Sequence, residues 1–226
     1  MGSKNSIEFN SVSHSFQQGE SLIRVLDDVS FLIPNGGIVG LLGASGSGKT
    51  TLLQLAGLLE KPLYGDIKIK GQSTISLNST GRTYIRRKKI GFVFQKSHLL
   101  PEFNALENII IAQKIFGKQN YEAKENALKL LKEVGLNNRI FHRPGKLSVG
   151  EQQRVAIARA VVNNPSVVLA DEPTGNLDFE NSKNVTDLLI KTLRSSGASA
   201  LIATHNKDLA SKMDKILTLV DGKIKI

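Results

Sequence analysis

The sequence contains no cysteine and no tryptophan, and only 5% of its residues are aromatic. Without cysteine, disulfide bonds and thiolate-bound metal sites are excluded, which suits a reducing compartment. No apolar run approaches the roughly 20 residues that a membrane-spanning helix needs. The polar amino-terminal residues do not predict a signal peptide. For a chain of 226 residues, we therefore expect a single globular domain over residues 1–226.

Positive charge is in excess, with 30 Lys and Arg against 20 Asp and Glu and a formal net charge of +10. Part of this excess is concentrated at Arg82 and in the run from Arg86 to Lys89. A basic surface favours contact with anionic lipid, acidic partners or nucleic acid. Because most charge runs are solvated faces, the charge alone does not choose among these partners.

Strand-like apolar runs alternate with helical stretches, which predicts an α/β fold. The continuous apolar run at residues 167–170 indicates a sheet covered on both faces. Asp221-Gly222 is typical of a hairpin turn. The stretch between Gln95 and Leu147 is helical in pattern and is predicted to be an insert, because strands resume after it. The predicted strands are residues 7–12, 38–42, 67–69, 90–94, 167–170, 200–203, 216–220 and 223–226, and the predicted helices include residues 50–59, 121–134 and 152–163.

The most specific motif is G-x-x-x-x-G-K-T at residues 43–50. It follows a predicted strand and opens a predicted helix, which is the context of a phosphate-binding loop. Its glycines let backbone N–H groups point at an anion, and the helix N-terminus adds partial positive charge. We predict that Lys49 bridges the outer phosphates of a nucleotide and that the Thr50 hydroxyl binds Mg²⁺. The predicted nucleotide-binding residues are Gly43, Ala44, Ser45, Gly46, Ser47, Gly48, Lys49, Thr50 and Thr51.

A second motif consists of two acids, Asp171 and Glu172, at the end of an apolar strand. A carboxylate in this position can bind Mg²⁺, as in P-loop ATPases, and the next acid can act as a general base toward water. Alone, such a pair is usually a solvent-exposed turn. Beside a phosphate loop, it predicts Asp171 as a metal ligand and Glu172 as the base.

Ser148 and Glu151 have the spacing of a helix capping box, which by itself indicates only where a helix begins. With the following Q-Q-R-V-A-I-A-R-A and the strand and acids beyond it, this segment resembles the signature of ABC-transporter ATPases. The resemblance implies a P-loop NTPase with a RecA-like core, an antiparallel β subdomain and a helical subdomain inserted at about 96–162. It also implies that the signature residues Ser148, Gly150 and Glu151 act in trans in an ATP-dependent homodimer. There, the helix N-terminus faces the γ-phosphate held by the twin subunit. Val149 and Glu151 depart from the family's commoner Gly and Gln, which makes the signature geometry the less predictable part.

The same resemblance gives roles to residues that no motif singles out. It implies that Gln95 contacts Mg²⁺ and water, that His205 contacts the γ-phosphate and that Phe16 stacks on adenine. Asn176 and Asp178 match the loop that links the two composite sites of the dimer. Taken alone, these residues are typical of a strand end, a turn or a core position.

Residues 98–108, H-L-L-P-E-F-N-A-L-E-N, resemble the ATPases of LolCDE-type lipoprotein-releasing transporters. This implies an ATPase, using ATP and Mg²⁺, peripheral to the cytoplasmic face of the bacterial inner membrane. LolC- or LolE-like membrane subunits are then expected to dock near the segment from Gln95 to Leu106, which we call the docking segment. Its apolar residues Leu99, Leu100 and Phe103 predict a covered patch, with packing inside the helical subdomain as the alternative.

Three other functions remain open at this stage. FtsE-like division ATPases and MacB-type efflux ATPases are close relatives, although the MacB type is usually fused to a membrane domain that is absent from this sequence. A nucleic-acid-linked ABC ATPase is disfavoured, because the interval from Thr50 to Leu147 carries neither cysteine nor a heptad array. We therefore expect no nucleic-acid partner.

Overall fold

The computed structural model describes residues 3–19 and 21–225, which fold into two sheets and a layer of helices. It also contains two 3-10 turns, Asn137–Arg139 and Pro144–Lys146. The strands are β1 Asn5–Gln18, β2 Ser21–Pro34, β3 Ile38–Leu42, β4 Tyr64–Ile69, β5 Gln72–Ser73, β6 Ile90–Val93, β7 Val167–Asp171, β8 Ser199–Ala203, β9 Lys215–Val220 and β10 Lys223–Lys225. The helices are α1 Lys49–Ala56, α2 Ser79–Lys89, α3 Ala105–Phe116, α4 Asn120–Glu133, α5 Val149–Val161, α6 Phe179–Ser196 and α7 Lys207–Ala210.

The larger sheet has the order β10-β9-β3-β8-β7-β6, in which all strands but β10 run parallel. Both of its faces are covered, as the apolar run at 167–170 predicts. Val167 and Leu169 of β7 join one hydrophobic cluster with α1 and the smaller sheet, whereas Val168 and Ala170 pack against α5 and α6. The carboxyl ends of β3, β7 and β8 meet at one edge, which is where α/β sheets bind ligands.

The smaller sheet is antiparallel, with the order β2-β1-β4-β5. The sequence analysis did not include β2 or β5 among its strands. The amino-terminal half of β2 is largely exposed at a sheet edge and carries Arg24 and Asp27, so the buried alternation typical of a strand is confined to its second half. The strand predicted at 223–226 is β10, and its last position lies outside the described residues. Asp221 and Gly222 both have positive φ, at 49° and 75°, as a tight hairpin turn requires.

Along the chain, helices α3, α4 and α5 follow β6 and precede β7. They surround a third hydrophobic cluster. The stripe predicted on α4 is buried at Ala123, Ala127 and Leu131, and Gly135 follows the helix with φ of 72°. Helix α5 also packs on the parallel sheet through Ile157 and Val161, so the core and the helical layer share it. In the described part of the chain, no helix is long and apolar enough to cross a membrane.

Candidate functional site

A cleft of about 570 Å³ lies at the carboxyl edge of the parallel sheet, and we call it the phosphate-loop cleft. The loop after β3 forms one side, and residues after β6, β7 and β8 form the other. Several predicted residues from distant parts of the chain therefore meet here. Predicted residues that line the cleft are Gly43, Ser45, Gly46, Gly48, Lys49, Thr50, Thr51, Gln95, Asp171, Glu172 and His205.

The phosphate loop adopts a conformation that only glycine tolerates easily. Gly48 has φ of 100°, and a Cβ there would lie 2.7 Å from Val25 Cγ1. The Lys49 ammonium donates to the carbonyl oxygens of Gly43 and Ala44, at 2.8 and 2.9 Å. Ser47 Oγ is buried and has no hydrogen-bond partner within the described residues. An unpaired buried hydroxyl beside a lysine held only by carbonyls fits a loop that accepts an anionic ligand.

A pair of oxygen donors stands beside this loop, because Thr50 Oγ1 donates to Asp171 Oδ2 at 2.8 Å. The pKa of Asp171 is raised, chiefly by burial and also by the neighbouring negative charge of Glu172. The hydrogen bond from Thr50 and the positive charge of Lys49 lower this pKa and offset part of the rise. Hydroxyl and carboxylate oxygens suit Mg²⁺, which usually completes its coordination with water and substrate phosphates. Within the described residues there is no cluster of three or more His, Cys, Asp or Glu side chains that could bind a metal alone. A metal ion here therefore fits Thr50 and Asp171 only together with a phosphate ligand.

Glu172 and His205 form a second pair across the cleft. Glu172 Oε2 lies 2.9 Å from His205 Nδ1, and the backbone N–H of Glu172 donates to the carbonyl oxygen of Ala203 at 2.9 Å. Glu172 has φ of 44°, a left-handed conformation that is strained for a residue with a Cβ. The Glu172 side chain is only 16% exposed, whereas the His205 side chain is 72% exposed. The structure thus places Glu172, the predicted base, beside His205, whose ring lies at the open side of the cleft.

Gln95 is hydrogen-bonded to the loop that follows Glu172. Its side-chain N–H donates to Asn176 Oδ1 at 3.2 Å, and Asn176 donates back to the Gln95 carbonyl oxygen at 3.2 Å. Gly175 permits this approach, since a Cβ there would lie 3.0 Å from Gln95 Nε2. The sequence analysis assigned Gln95 and Asn176 separate roles, and the structure joins them by a reciprocal pair of hydrogen bonds.

The signature residues form the amino-terminal cap of α5. Ser148 Oγ accepts from the Glu151 N–H at 3.1 Å, and Glu151 Oε2 accepts from the Ser148 N–H at 2.8 Å. Glu151 also accepts a hydrogen bond from Arg139 at 3.0 Å. The pKa of Glu151 is lowered, chiefly by the hydrogen bond from the Ser148 backbone N–H and also by Arg139, while burial partly offsets the effect. The capping box is therefore present, and the Glu151 carboxylate is hydrogen-bonded within its own chain.

Some predicted residues do not line the phosphate-loop cleft of their own chain. Phe16 is 41% exposed on β1 and meets His14 edge-on, with ring centroids 4.8 Å apart. Asp178 caps α6 by accepting from the Asn181 N–H at 2.9 Å, which lowers the pKa of Asp178. The predicted residues outside the lining of this cleft are Phe16, Ala44, Ser47, Ser148, Gly150, Glu151, Asn176 and Asp178.

The sequence analysis missed residues of α5 that hold the start of the docking segment. Gln153 donates to the Phe94 carbonyl oxygen at 2.8 Å, and Arg159 donates to those of Ser97 and His98 at 2.6 and 2.8 Å. Polar side chains on the inward face of an otherwise apolar helix were the available signal. These hydrogen bonds connect α5 directly to the loop that contains Gln95.

Asn108 on α3 fixes the other end of the docking segment. It is fully buried, its Oδ1 accepts from the Leu100 N–H at 2.8 Å, and its Nδ2 donates to the carbonyl oxygens of Leu100, Phe103 and Asn104. Asn108→Ala would remove the hydrogen-bond partner of the Leu100 N–H and of the Phe103 carbonyl oxygen, so we expect a loss of roughly 1–3 kcal/mol in the free energy of unfolding. Urea unfolding followed by circular dichroism measures this loss, with the exposed Asn120→Ala as a control. A change below about 0.5 kcal/mol, typical of surface positions, would contradict the clamp.

A sequence profile of the ABC transporter family matches residues 26–175. The matched stretch is more than half of the chain and contains the phosphate loop, Gln95, the signature helix and Asp171. The chain belongs to the ABC transporter family. This membership confirms the family predicted from the signature segment, and with it the fold class.

Named relatives resemble this ABC protein over almost its whole length. The lipoprotein-releasing system ATP-binding protein LolD of Hyphomonas neptunium is 50% identical over 218 residues, covering 96% of each chain. LolD 1 of Rhodospirillum rubrum is also 50% identical over 218 residues, again covering 96% of each chain. LolD of Zymomonas mobilis subsp. mobilis is 49% identical over 220 residues, covering 97% of this chain and 95% of the relative.

Two solved structures have the same fold. One is a dimeric, post-hydrolysis state of the ATP-binding cassette MJ0796 bound to ADP and Pi, with a TM-score of 0.89 and 37% identity over 97% of both chains. The other is a dimeric structure of MJ0796, a bacterial ABC transporter cassette, with a TM-score of 0.89 and 38% identity over 97% of both chains. The chain is accordingly an ATPase of the ABC family, with a nucleotide-binding cassette fold.

Proposed function

We propose that this ABC ATPase powers the release of lipoproteins from the bacterial inner membrane. The observation that carries the proposal is the 50% identity to LolD proteins over 96% of both chains. In this proposal the chain is peripheral to the cytoplasmic face of the membrane and docks LolC- or LolE-like subunits. The ATPase supplies the energy, and the membrane subunits handle the cargo.

In this proposal, each residue of the phosphate-loop cleft has a separate role in ATP hydrolysis. Lys49 would exchange the carbonyl oxygens of Gly43 and Ala44 for phosphate oxygens, which bind an ammonium group more strongly. Thr50 and Asp171 would bind Mg²⁺, whose charge neutralises phosphate oxygens during phosphoryl transfer. Glu172 would accept a proton from the attacking water. His205, 2.9 Å from the Glu172 carboxylate, would keep it oriented and contact the γ-phosphate.

We further propose that two copies of the chain form the complete sites. Ser148 and Gly150 do not line the cleft of their own chain, so the α5 N-terminus is free to face the phosphate loop of a twin. Phe16 would stack on adenine. Asn176 and Asp178 would lie between the two sites, and the Asn176–Gln95 hydrogen bonds would connect that loop to the docking segment. The dimeric state of both MJ0796 structures supports this arrangement.

The docking segment is the proposed contact with the membrane subunits, and its apolar residues divide into two groups. Leu99 packs against the helical cluster, whereas Leu100 is 37% exposed and Phe103 is half-buried. A cavity of about 370 Å³ opens beside Gln95, Lys96 and His98. Leu100 therefore remains available to a partner, whereas the partly buried Leu99 packs against the helical cluster.

Leu100→Ser tests this proposal. We expect the melting temperature and the basal ATPase rate to stay close to wild type, because the side chain is outside the core. Co-purification with co-expressed LolC- and LolE-type membrane subunits should fall, since the partner would lose an apolar contact. The measurement is the amount of membrane subunit retained on the tagged ATPase in detergent.

Leu99→Ser is the matched control on the neighbouring leucine, which packs against the helical cluster. It should lose roughly 2 kcal/mol or more of stability, in the range of core truncations. If Leu100→Ser is equally destabilised, the patch is core rather than docking surface. If wild type retains no LolC- or LolE-type subunit at all, the assignment to lipoprotein release fails.

A further inference from the structure

An ion pair between Arg139 and Glu151 stands at the start of α5. Arg139, in the 3-10 turn that ends twelve positions earlier in the chain, donates through Nε to Glu151 Oε1 at 3.0 Å. The Glu151 side chain is 17% exposed and that of Arg139 is 46% exposed. Among the ion pairs in the described part of the chain, only this one involves either residue. The pair therefore sets the charge at the end of the helix that carries Ser148 and Gly150.

The same helix end keeps two backbone donors for an anion. The capping box between Ser148 and Glu151 satisfies one N–H group of each residue. The N–H groups of Val149 and Gly150 have no acceptor among the described residues, as expected in the first turn of a helix. Ser148 and Val149 are exposed, so this helix end is open at the surface. Unpaired N–H groups and the partial positive charge of a helix N-terminus attract an anion.

Glu151 opposes the binding of an anion here unless its own charge is balanced. Its pKa is lowered, chiefly by the hydrogen bond from the Ser148 backbone N–H and also by Arg139, so the carboxylate is ionised near neutral pH. It lies in the first turn of α5, one residue after Gly150. A phosphate bound at the same helix end is repelled by this charge, and the repulsion strengthens where two protein surfaces exclude water. Arg139 supplies the positive charge that offsets it.

We propose that Arg139 is a positioning residue of the two-copy ATP site, because by neutralising Glu151 it lets the α5 N-terminus of one subunit accept the γ-phosphate held by the other. This rests on the proposed function, and it adds a residue outside the phosphate-loop cleft on which dimer formation depends. Without Arg139 the capping box still fixes the start of α5, since its two hydrogen bonds do not involve the guanidinium. What is lost is the attraction of the helix end for phosphate.

Arg139→Gln, made in the Glu172→Gln protein, tests the proposal. We expect the protein concentration for half-maximal dimerisation with ATP-Mg²⁺ to rise roughly tenfold, as measured by sedimentation velocity. Tenfold corresponds to about 1.4 kcal/mol, and a symmetric dimer contains the contact twice, so each copy contributes about half of it. The affinity of the monomer for ADP should not change, because Arg139 does not line the cleft of its own chain. Arg143→Gln is the matched control, since Arg143 is exposed in the same segment and its side chain makes no described hydrogen bond.

Removal of both charges separates this electrostatic role from simple anchoring of the helix. Glu151→Gln keeps the capping box, because a Gln oxygen can also accept the Ser148 N–H. We expect Glu151→Gln alone to dimerise at least as tightly as the Glu172→Gln parent. The double variant of Arg139→Gln and Glu151→Gln should return to within roughly twofold of the parent, as a coupled pair requires. Added salt should narrow the gap between Arg139→Gln and the parent, because exposed charges are screened.

The other outcomes overturn the proposal in distinct ways. Equal losses in Arg139→Gln and Glu151→Gln, with no recovery in the double variant, would show that the pair only anchors α5. A loss in Arg143→Gln as large as that in Arg139→Gln would show a general effect of net charge. A parent dimer that Arg139→Gln leaves unchanged refutes this inference alone. A Glu172→Gln parent that stays monomeric with ATP-Mg²⁺ refutes the two-copy site of the proposed function, and this inference with it.

Discussion

Glu172→Gln is expected to lower the rate of ATP hydrolysis by roughly 10²–10⁴-fold or more while ATP still binds. The amide keeps the shape of the side chain and its contact with His205, but it cannot accept a proton from water. Phosphate release at saturating ATP and Mg²⁺ measures the rate, and nucleotide binding to the purified variant measures the retained affinity. Glu180→Gln, the same change on an exposed residue at the start of α6, should hydrolyse ATP as wild type does.

The same variant tests the composite site. If the α5 N-terminus of one subunit faces the phosphate loop of the other, blocked hydrolysis should trap an ATP-dependent dimer. Size-exclusion chromatography with and without ATP-Mg²⁺ would show it. A monomer at saturating ATP, with or without membrane subunits, would contradict the roles of Ser148 and Gly150 in trans. Near-normal hydrolysis by the variant would instead remove Glu172 from the role of base.

Much of the fold and of the phosphate loop could be predicted from local motifs and strand patterns. The apolar run at 167–170 predicted a strand covered on both faces of its sheet. In the structure every one of its residues is buried, and alternate residues pack in different clusters. The phosphate loop was predictable because its glycine spacing reflects a backbone conformation. These features depend on neighbours in the chain. The predicted fold class and family are accordingly confirmed.

Contacts between distant segments could not be predicted in the same way. Nothing in the composition around Gln95 shows that it exchanges hydrogen bonds with Asn176, 81 positions further along the chain. The clamp formed by Arg159 on Ser97 and His98 likewise spans about sixty positions. Strand β2 escaped prediction because an exposed sheet edge does not impose strict alternation. Such features depend on tertiary packing, which overrides local preference.

If two copies of the chain form the proposed site, one chain is expected to contain only part of it. The phosphate loop, Asp171, Glu172 and His205 meet in one cleft. Ser148 and Gly150 lie outside its lining, where their geometry is that of an ordinary helix cap. Glu151 is held by Arg139, so α5 begins in a fixed position whether or not a twin is present. A preformed helix N-terminus lowers the ordering cost of dimerisation.

Lys49→Ala is expected to abolish ATP hydrolysis and to weaken nucleotide binding roughly 10–100-fold. Lys49 is buried, with 9% of its surface exposed, and its ammonium group contacts only the carbonyl oxygens of Gly43 and Ala44. A charge-assisted hydrogen bond to phosphate contributes about 1.5–3 kcal/mol, which corresponds to that loss of affinity. Phosphate release and the rise in melting temperature with ATP-Mg²⁺ measure the two effects, since ligand that binds the folded state stabilises it. Lys61→Ala, on an exposed lysine, should match wild type in both. Wild-type turnover in Lys49→Ala would mean that this loop does not bind the phosphates, because no other described cation from the loop lines the cleft.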